Sequence, residues 1–600
     1  MRRFETSFWA LAIVVGGGLL MTWFGARSAA VAGRVGFPLD DAWIHVRFAQ
    51  NVAQNGCFAF NPGEPTAGST SPLWVILLAG ASLLSGEFLY TAIYLGVLTY
   101  LLWVLSTYWI VRRQFGENGP AILAALIVLV NVRVAWGALS GMEICLAGWL
   151  ALVACACFAA EEANRRSPLS ANAPLVSAPD SPHAAQRWLG FATPVLFGLA
   201  SLARPEAHLL FGLAVFLRVV RSCRRDTPIR ELARLIPYRM ILVYVLVTVP
   251  WHLFALWSSG SPLPNTFRAN YRGLATRIIP PGYYSYYARW LFTRDHPWIY
   301  WFGLLGMVAT IRGTFWPNGF GRFGRAPSRE ALAFAQIAAL WEVCYPAATR
   351  AIIPMMRHHM RYQIPLTGFH AFLAVLGLWM LIEILVSVFR RPPTTAQHNE
   401  ATEMTKGTEE TGEKPEPPIN LISQPSLAVL GRGRAAPALW FALTAGVAVS
   451  AGPGLARWAA IHGSNVYSIN HQHVAMAEWI RDHTPADAVI TTHDIGAIGA
   501  ISQRRIVDLF GLVTPEMIHT VDQIIPTIGV GSGWYLDKVR AGNSSYLIGY
   551  PQWLGFMAVA PRCFDEIHRE VLERMDICGG LEMVAYRIDL DRLKQIPSRP

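Results

Sequence analysis

Two adjacent carboxylates, Asp40 and Asp41, begin a polar stretch between apolar runs that ends in a Gly/Pro/Thr-rich loop before Trp74. A carboxylate partly shielded from water beside another negative group has a raised pKa and can accept a proton from a hydroxyl. One Asp would suffice to cap the amphipathic helix expected over Ala42 to Gln54, whose apolar face carries Trp43, Val46, Phe48 and Val52. The pair leaves one carboxylate for chemistry. Further along, Arg204, Arg268, Arg357 and Arg361 sit at the ends of apolar runs. Arginine pairs bidentately with phosphate oxygens, so these side chains suit a departing phosphate; anchoring at the headgroup level is their plain structural alternative. Glu64, Glu143, Glu206, Arg47, His208, His358 and His359 fall in the same class of positions. The chemistry implied is deprotonation of an acceptor hydroxyl opposite a phosphate leaving group.

The elements that must position these residues are membrane helices. The 600 residues are 53% hydrophobic and only 15% charged, against about a quarter charged in soluble domains. A formal charge of +11 lies mainly between apolar segments, as the positive-inside bias predicts, and is not read as a nucleic-acid signal. Spans are expected at 8–26, 88–110, 120–137, 142–160, 239–257, 331–349, 364–388 and 437–456, with shorter ones at 188–203, 206–220 and 297–311. That makes about eleven, plus a re-entrant or interfacial helix at 72–86. The N-terminal run is longer than a signal peptide's apolar core of roughly 7 to 15 residues and reads as an uncleaved anchor. With the N-terminus and the Arg-rich loops cytoplasmic, among them the seven basic residues from Arg218 to Arg239, the loops holding Asp40, Glu143, Arg204 and Arg361 face outward.

The chain divides into a helical module over 1–390 with a polar linker at 161–187, a second linker lacking apolar periodicity at 391–436, a last span at 437–456 and an α/β domain over 457–600 on the outer side. In that domain His473–His483 and Phe564–Met575 read as helices, and Ala488–Thr492 and Ser545–Ile548 as strands. Cys563 and Cys578 are candidates for a bridge there. Tyr283, Tyr284, Tyr286, Tyr287 and Trp290 read as an interfacial belt, with a sugar- or prenyl-stacking surface as the alternative. Glu342, inside a span, reads as a buried acid or a packing hydrogen bond.

The run DDAWIHVRFAQNVAQNGCFAFNPGEPTAGSTSPLW resembles the first outer loop of GT-C glycosyltransferases, in particular the bacterial branch related to mycobacterial terminal arabinofuranosyltransferases. Matches continue at Ser140–Glu143, Ala203–Glu206, Leu263–Phe267, Arg361–Pro365, Asp494–Gly499 and Asp508–Leu512. The resemblance implies transfer of a sugar from a polyprenyl-phosphate donor to a glycan or lipid acceptor at the outer face of the inner membrane, by an inverting-type reaction. It implies Asp40 as base with Asp41 adjacent, a phosphate clamp among the four arginines, and substrate contacts from Glu64, Glu143, Glu206, Asn265 and Thr266. The familiar loop has Glu and Tyr where this chain has Thr66, Ala67 and Ser69 around Gly68, so one acidic contact is missing.

A divalent cation (Mg, Mn or Ca) bridging Asp40 or Asp41 to the donor phosphate is chemically reasonable, since hard cations favour such oxygens. His471/His473 and His358/His359 are too closely spaced on a helix to converge readily on one ion. The rival functions are a transporter or flippase of lipid-linked sugars and a non-catalytic envelope-assembly protein on the same scaffold. Transporters place ionisable groups at the midplane and often repeat internally; here the polar residues gather at one face and no repeat is visible.

Overall fold

The computed structural model describes residues 2–165, 182–223, 228, 231–270, 297–315, 327–352, 358–388, 427–518 and 532–597. Arg357, the aromatic run from Tyr283 to Trp290 and most of both linkers lie outside the described residues.

The helices follow the apolar runs: α1 (Arg2–Ala32), α2 (Asp41–Asn55), α3 (Pro72–Ser85), α4 (Leu89–Phe115), α5 (Asn118–Leu129), α6 (Val132–Ala138), α7 (Ile144–Arg165), α8 (Pro182–Ala203) and α9 (Ala207–Ser222). After them come α10 (Leu232–Leu235), α11 (Tyr238–Ser259), α12 (Asn265–Asn270), α13 (Pro297–Phe315), α14 (Arg329–Ile352), a 3-10 segment His358–Leu366, α15 (Thr367–Val388) and α16 (Leu427–Ser468). Among the described residues seven helices are long and apolar enough to cross a membrane, or eight if α5 and α6 count as one broken span. This is fewer than the eleven expected. The shortfall is largely one of length: α9 has 16 residues and, at 1.5 Å each, covers about 24 Å of a hydrocarbon core of roughly 30 Å. Helix α3, with 14 residues, is shorter still. The span expected over 120–137 bends by 61° because Asn131 restarts the helix, its side chain accepting from the Arg133 and Val134 N–H groups at 3.1 Å each.

Packing inside the bundle is close. A Cβ on Gly377 of α15 would fall 2.1 Å from the Phe302 carbonyl oxygen of α13, so these helices meet backbone to backbone through a small residue, as membrane helices often do. Arg218 of α9 is buried between Glu161 (2.8 Å) and Glu162 (2.9 Å), both far along α7. It clamps α9 to α7, a packing role beyond the topology signal expected of the basic run from Arg218 to Arg239. Glu342 pairs with His370 at 3.0 Å, a helix-packing contact as expected.

Helix α16 begins at Leu427, inside the stretch expected as linker, and passes through a π-turn (Ile469–Val474) into α17 (Ala475–His483). Beyond it lie β1 (Val489–Thr492), α18 (Gly496–Ser502), β2 (Arg505–Asp508), α19 (Ser532–Ala541), β3 (Tyr546–Gly549), β4 (Phe564–Val571), β5 (Glu582–Ile588) and α20 (Leu590–Gln595). The sheet order is β2-β1-β3-β5-β4; β1 pairs in parallel with β2 and β3, while β5 is antiparallel to β3 and β4. The helix expected over Phe564–Met575 is instead edge strand β4. A bulge between Glu566 and His568 breaks the alternation of period two, and the resulting three-residue spacing of Phe564 and Ile567 imitates a helix. All eight cysteines are free, Cys563 and Cys578 included.

Candidate active site

The two leading carboxylates have different partners. Asp40 precedes α2 but makes no side-chain cap to it. Its two oxygens accept instead from the backbone N–H groups of Gly496 (2.7 Å) and Ala497 (2.8 Å) at the start of α18. Only glycine fits there, since a Cβ on Gly496 would sit 2.1 Å from the Asp40 carbonyl oxygen. Burial, with Asp494 adding to it, pushes the Asp40 carboxyl up to about 6 against the opposing pull of His473 and the two N–H groups. Asp41 is 37% exposed and places Oδ2 2.5 Å from Arg361 Nη2. Burial would raise its pKa too, but Arg361, His358 and His45 outweigh that and hold it below the usual carboxylate value.

From Asp41 a polar network runs through the ends of several apolar helices. His45 lies one helical turn further along α2 on the same face; its Nε2 is 3.3 Å from Glu143 Oε2 and its Nδ1 3.3 Å from Ser69 Oγ. Arg204 donates from Nη1 to Glu143 (3.0 Å) and from Nη2 to Glu206 (3.0 Å). Burial of Glu143 is outweighed by His45 and Arg204, which bring its carboxyl down to about 2. The guanidinium groups of Arg204 and Arg361 lie 5.0 and 5.1 Å from the ring centroid of Tyr362, so one aromatic ring spaces the two cations. Tyr345 donates its hydroxyl to the Tyr362 carbonyl oxygen.

The segment carrying Arg361 is strained. His358, His359 and Met360 have φ values of +49°, +58° and +57°, three successive non-glycine residues in the left-handed region, at about 1 kcal/mol or more each. Two contacts hold the turn: His359 Nε2 lies 2.8 Å from Asn465 Oδ1, and the His359 carbonyl oxygen accepts from Arg133.

The other expected site residues divide. Asn265 Nδ2 donates to Thr66 Oγ1 and to the Leu512 carbonyl oxygen, both at 3.1 Å, and Thr266 donates to the Gly68 carbonyl oxygen at 2.8 Å. Both therefore fasten the first loop. Arg268 donates to the Ser259 carbonyl oxygen (3.2 Å) and has no described contact with the Asp41 network. Glu64 forms an exposed pair with Arg505 (2.8 Å), on the side of the loop turned to β2. His471 is exposed and stacks on Tyr467, whereas His473 is buried and meets Asp494 Oδ2 at 3.1 Å; the two diverge. Among the described residues no group of three or more His, Cys, Asp or Glu side chains could hold a metal ion.

His45, Ser69, Tyr345 and Tyr362 belong to the network and were not anticipated. The spacing of four between Asp41 and His45 on an expected helix is the signal that could have found the first. The others depend on tertiary contacts.

A family described as a domain of unknown function (DUF8728) matches residues 461–586. No curated protein sequence matches the chain. Among solved structures, the chain is similar to the oligosaccharyltransferase of Archaeoglobus fulgidus in the apo form, with a TM-score of 0.52, 12% identity and coverage of 97% of this chain and 74% of that one. The same archaeal protein, AglB, in complex with an inhibitory peptide and a dolichol-phosphate, gives 0.52, 12%, 98% and 75%. ArnT of Cupriavidus metallidurans bound to undecaprenyl phosphate gives 0.47, 14%, 97% and 98%. The chain has the GT-C fold, a helical membrane bundle followed by a small sheet domain.

Proposed function

We propose that this chain is a glycosyltransferase that moves a sugar from a polyprenyl-phosphate donor to a glycan or lipid acceptor of the cell envelope, at the outer face of the cytoplasmic membrane, with Asp41 as general base. The observation that carries the reading is the Asp41–Arg361 pair: a partly exposed carboxylate beside a guanidinium, joined through Tyr362 to the Glu143–Arg204–Glu206 array. The resemblance pointed to Asp40; its commitment to two N–H groups of α18 favours its neighbour.

In this reading the acceptor hydroxyl gives its proton to Asp41. Its oxygen attacks the anomeric carbon from the face opposite the phosphate, and the carbon–oxygen bond to the phosphate breaks, the electron pair leaving on the phosphate. The configuration inverts. Arg361 passes from Asp41 to the developing phosphate charge as the carboxylate is protonated, while Arg204, held by two carboxylates, keeps Tyr362 and Glu143 in place. A divalent cation would be held by Asp41, whose carboxylate is the less committed to backbone N–H groups, and would supply positive charge for the departing phosphate; no step above requires it.

The test is transfer from a panel of polyprenyl-phosphate sugars by purified protein in detergent or nanodiscs. Asp41→Asn is expected to lower turnover by about 10²- to 10⁴-fold, and unimpaired turnover would sink the assignment. Chelation by EDTA, followed by Mg, Mn or Ca, reads metal dependence in the same assay.

A further inference from the structure

We propose that Phe510, Trp553, His493 and Asp494 form a saccharide-binding subsite on the C-terminal domain, taking a neutral sugar unit of the acceptor. The acceptor role rests on the transferase reading; binding of a sugar does not.

Phe510 and Trp553 are 45% and 36% exposed, with ring centroids 6.4 Å apart at 63°. Both rings stand on the buried His493, at 6.0 and 4.7 Å between centroids, and Trp553 also meets buried Tyr550 at 5.0 Å. Phe510 is not loosely presented: the buried Asp508 carboxylate accepts from the Phe510 N–H (2.8 Å) and the Val513 N–H (3.1 Å), fixing the turn. Beside the rings, His493 Nε2 is buried without a hydrogen-bond partner, 3.8 Å from Asp494 Oδ2, and the Asp494 side chain is 23% exposed. Aromatic faces next to a carboxylate and an imidazole nitrogen match a sugar ring, whose C–H face is apolar and whose edge carries hydroxyl groups.

The charge pattern narrows the ligand. Burial of Asp494 is outweighed by His493 and His473, so its carboxyl titrates below the usual range and stays ionised. An ionised carboxylate accepts from hydroxyl groups, repels a uronate or phosphate, and is costly to sink into hydrocarbon. The subsite also joins the catalytic loop from two sides: α18, which starts two residues after Asp494, holds Asp40, and Leu512, two residues after Phe510, holds Asn265.

Saturation-transfer NMR on the full-length protein in detergent, with neutral methyl pyranosides and furanosides of hexoses and pentoses as probes, tests the proposal. At least one glycoside is expected to give a saturable signal whose apparent Kd rises by about tenfold or more in the Phe510→Ala/Trp553→Ala double variant, a loss of about 1.4 kcal/mol. Trp553→Phe, which keeps a ring, is expected to retain most of the signal. Absence of signal from every neutral glycoside, survival of the signal without both rings, or equal signals from methyl uronides would overturn the subsite. Binding without transfer would sink the transferase reading alone. Transfer with an unchanged acceptor KM in the double variant would sink the subsite alone.

Discussion

Asp40 and Asp41 are neighbours in sequence with opposite electrostatic surroundings, and the difference is measurable as a pH profile. A base at Asp40, with its carboxyl near 6, would lose activity as pH falls below about 6. A base at Asp41, held below the ordinary carboxylate value by Arg361, His358 and His45 against the effect of burial, would keep it. We expect kcat/KM for transfer to show no acid limb between pH 7 and 5; a limb centred near 6 would return the role to Asp40. Substitution separates the two as well. Asp41→Asn is expected to remove turnover and also to lower stability, because it leaves the buried Arg361 guanidinium (side chain 9% exposed) without its anion. Asp40→Asn puts an NH₂ against one of two N–H donors and is expected to act mainly on the attachment of α18, seen as faster hydrogen exchange at Gly496 and Ala497.

The first loop is fastened to the sheet domain as if it were part of it. Asn61 donates to the Ile506 carbonyl oxygen and accepts from the Ile506 N–H, both at 2.9 Å, so one side-chain amide serves the free edge of β2 as a further strand would. Asn61→Ala leaves two buried backbone groups unpaired and is expected to cost about 2 to 4 kcal/mol. Glu64→Ala, three residues on, removes an exposed pair with Arg505 and a 2.9 Å hydrogen bond from Asn61 Nδ2 but leaves both Asn61–Ile506 hydrogen bonds in place, at about 1 kcal/mol or less. Comparing the thermal unfolding of the two variants checks this, and equal effects would refute the edge-strand account. The helices themselves were legible in the sequence because length and hydropathy report burial in a bilayer directly. The separate polar motifs, from Ser140–Glu143 to Arg361–Pro365, were legible as candidates for one site. Their partners were not: Asp40 and Gly496 are 456 positions apart, and neither period nor composition encodes that contact. Strand β4 was misread for a related reason, since a bulge is set by its partner strand and leaves a helical spacing behind.

On the scale of the whole molecule, the joint between bundle and sheet domain contains carboxylates with opposed titration. Asp40 and Asp508 are both raised to about 6 by burial, against an ordinary value of 3.8. A carboxyl whose folded pKa is raised binds its proton more tightly in the folded state, so the cost of keeping it ionised is full above pH 6 and is relieved as pH falls toward 4. Asp41, Glu143 and Asp494 are lowered by their basic partners, which overcome burial; their contribution is present above about 4 and is lost as pH falls through their folded values. Taken alone, the two sets of carboxylates would raise stability from pH 7 to about 5 and lower it below 4, while the imidazole of His493, whose pKa burial lowers, disfavours folding as pH falls through its ordinary value. The rise has an upper limit of about 1.4 kcal/mol per pH unit for each group, reduced for Asp40 by its partial exposure. Thermal unfolding of the full chain at pH 7, 6, 5 and 4 reads the curve. Asp40→Asn, which no longer titrates, is expected to lose the Asp40 contribution between 7 and 5 while leaving the acid decline; an identical pH dependence of variant and wild type between 7 and 5 would refute the contribution of Asp40.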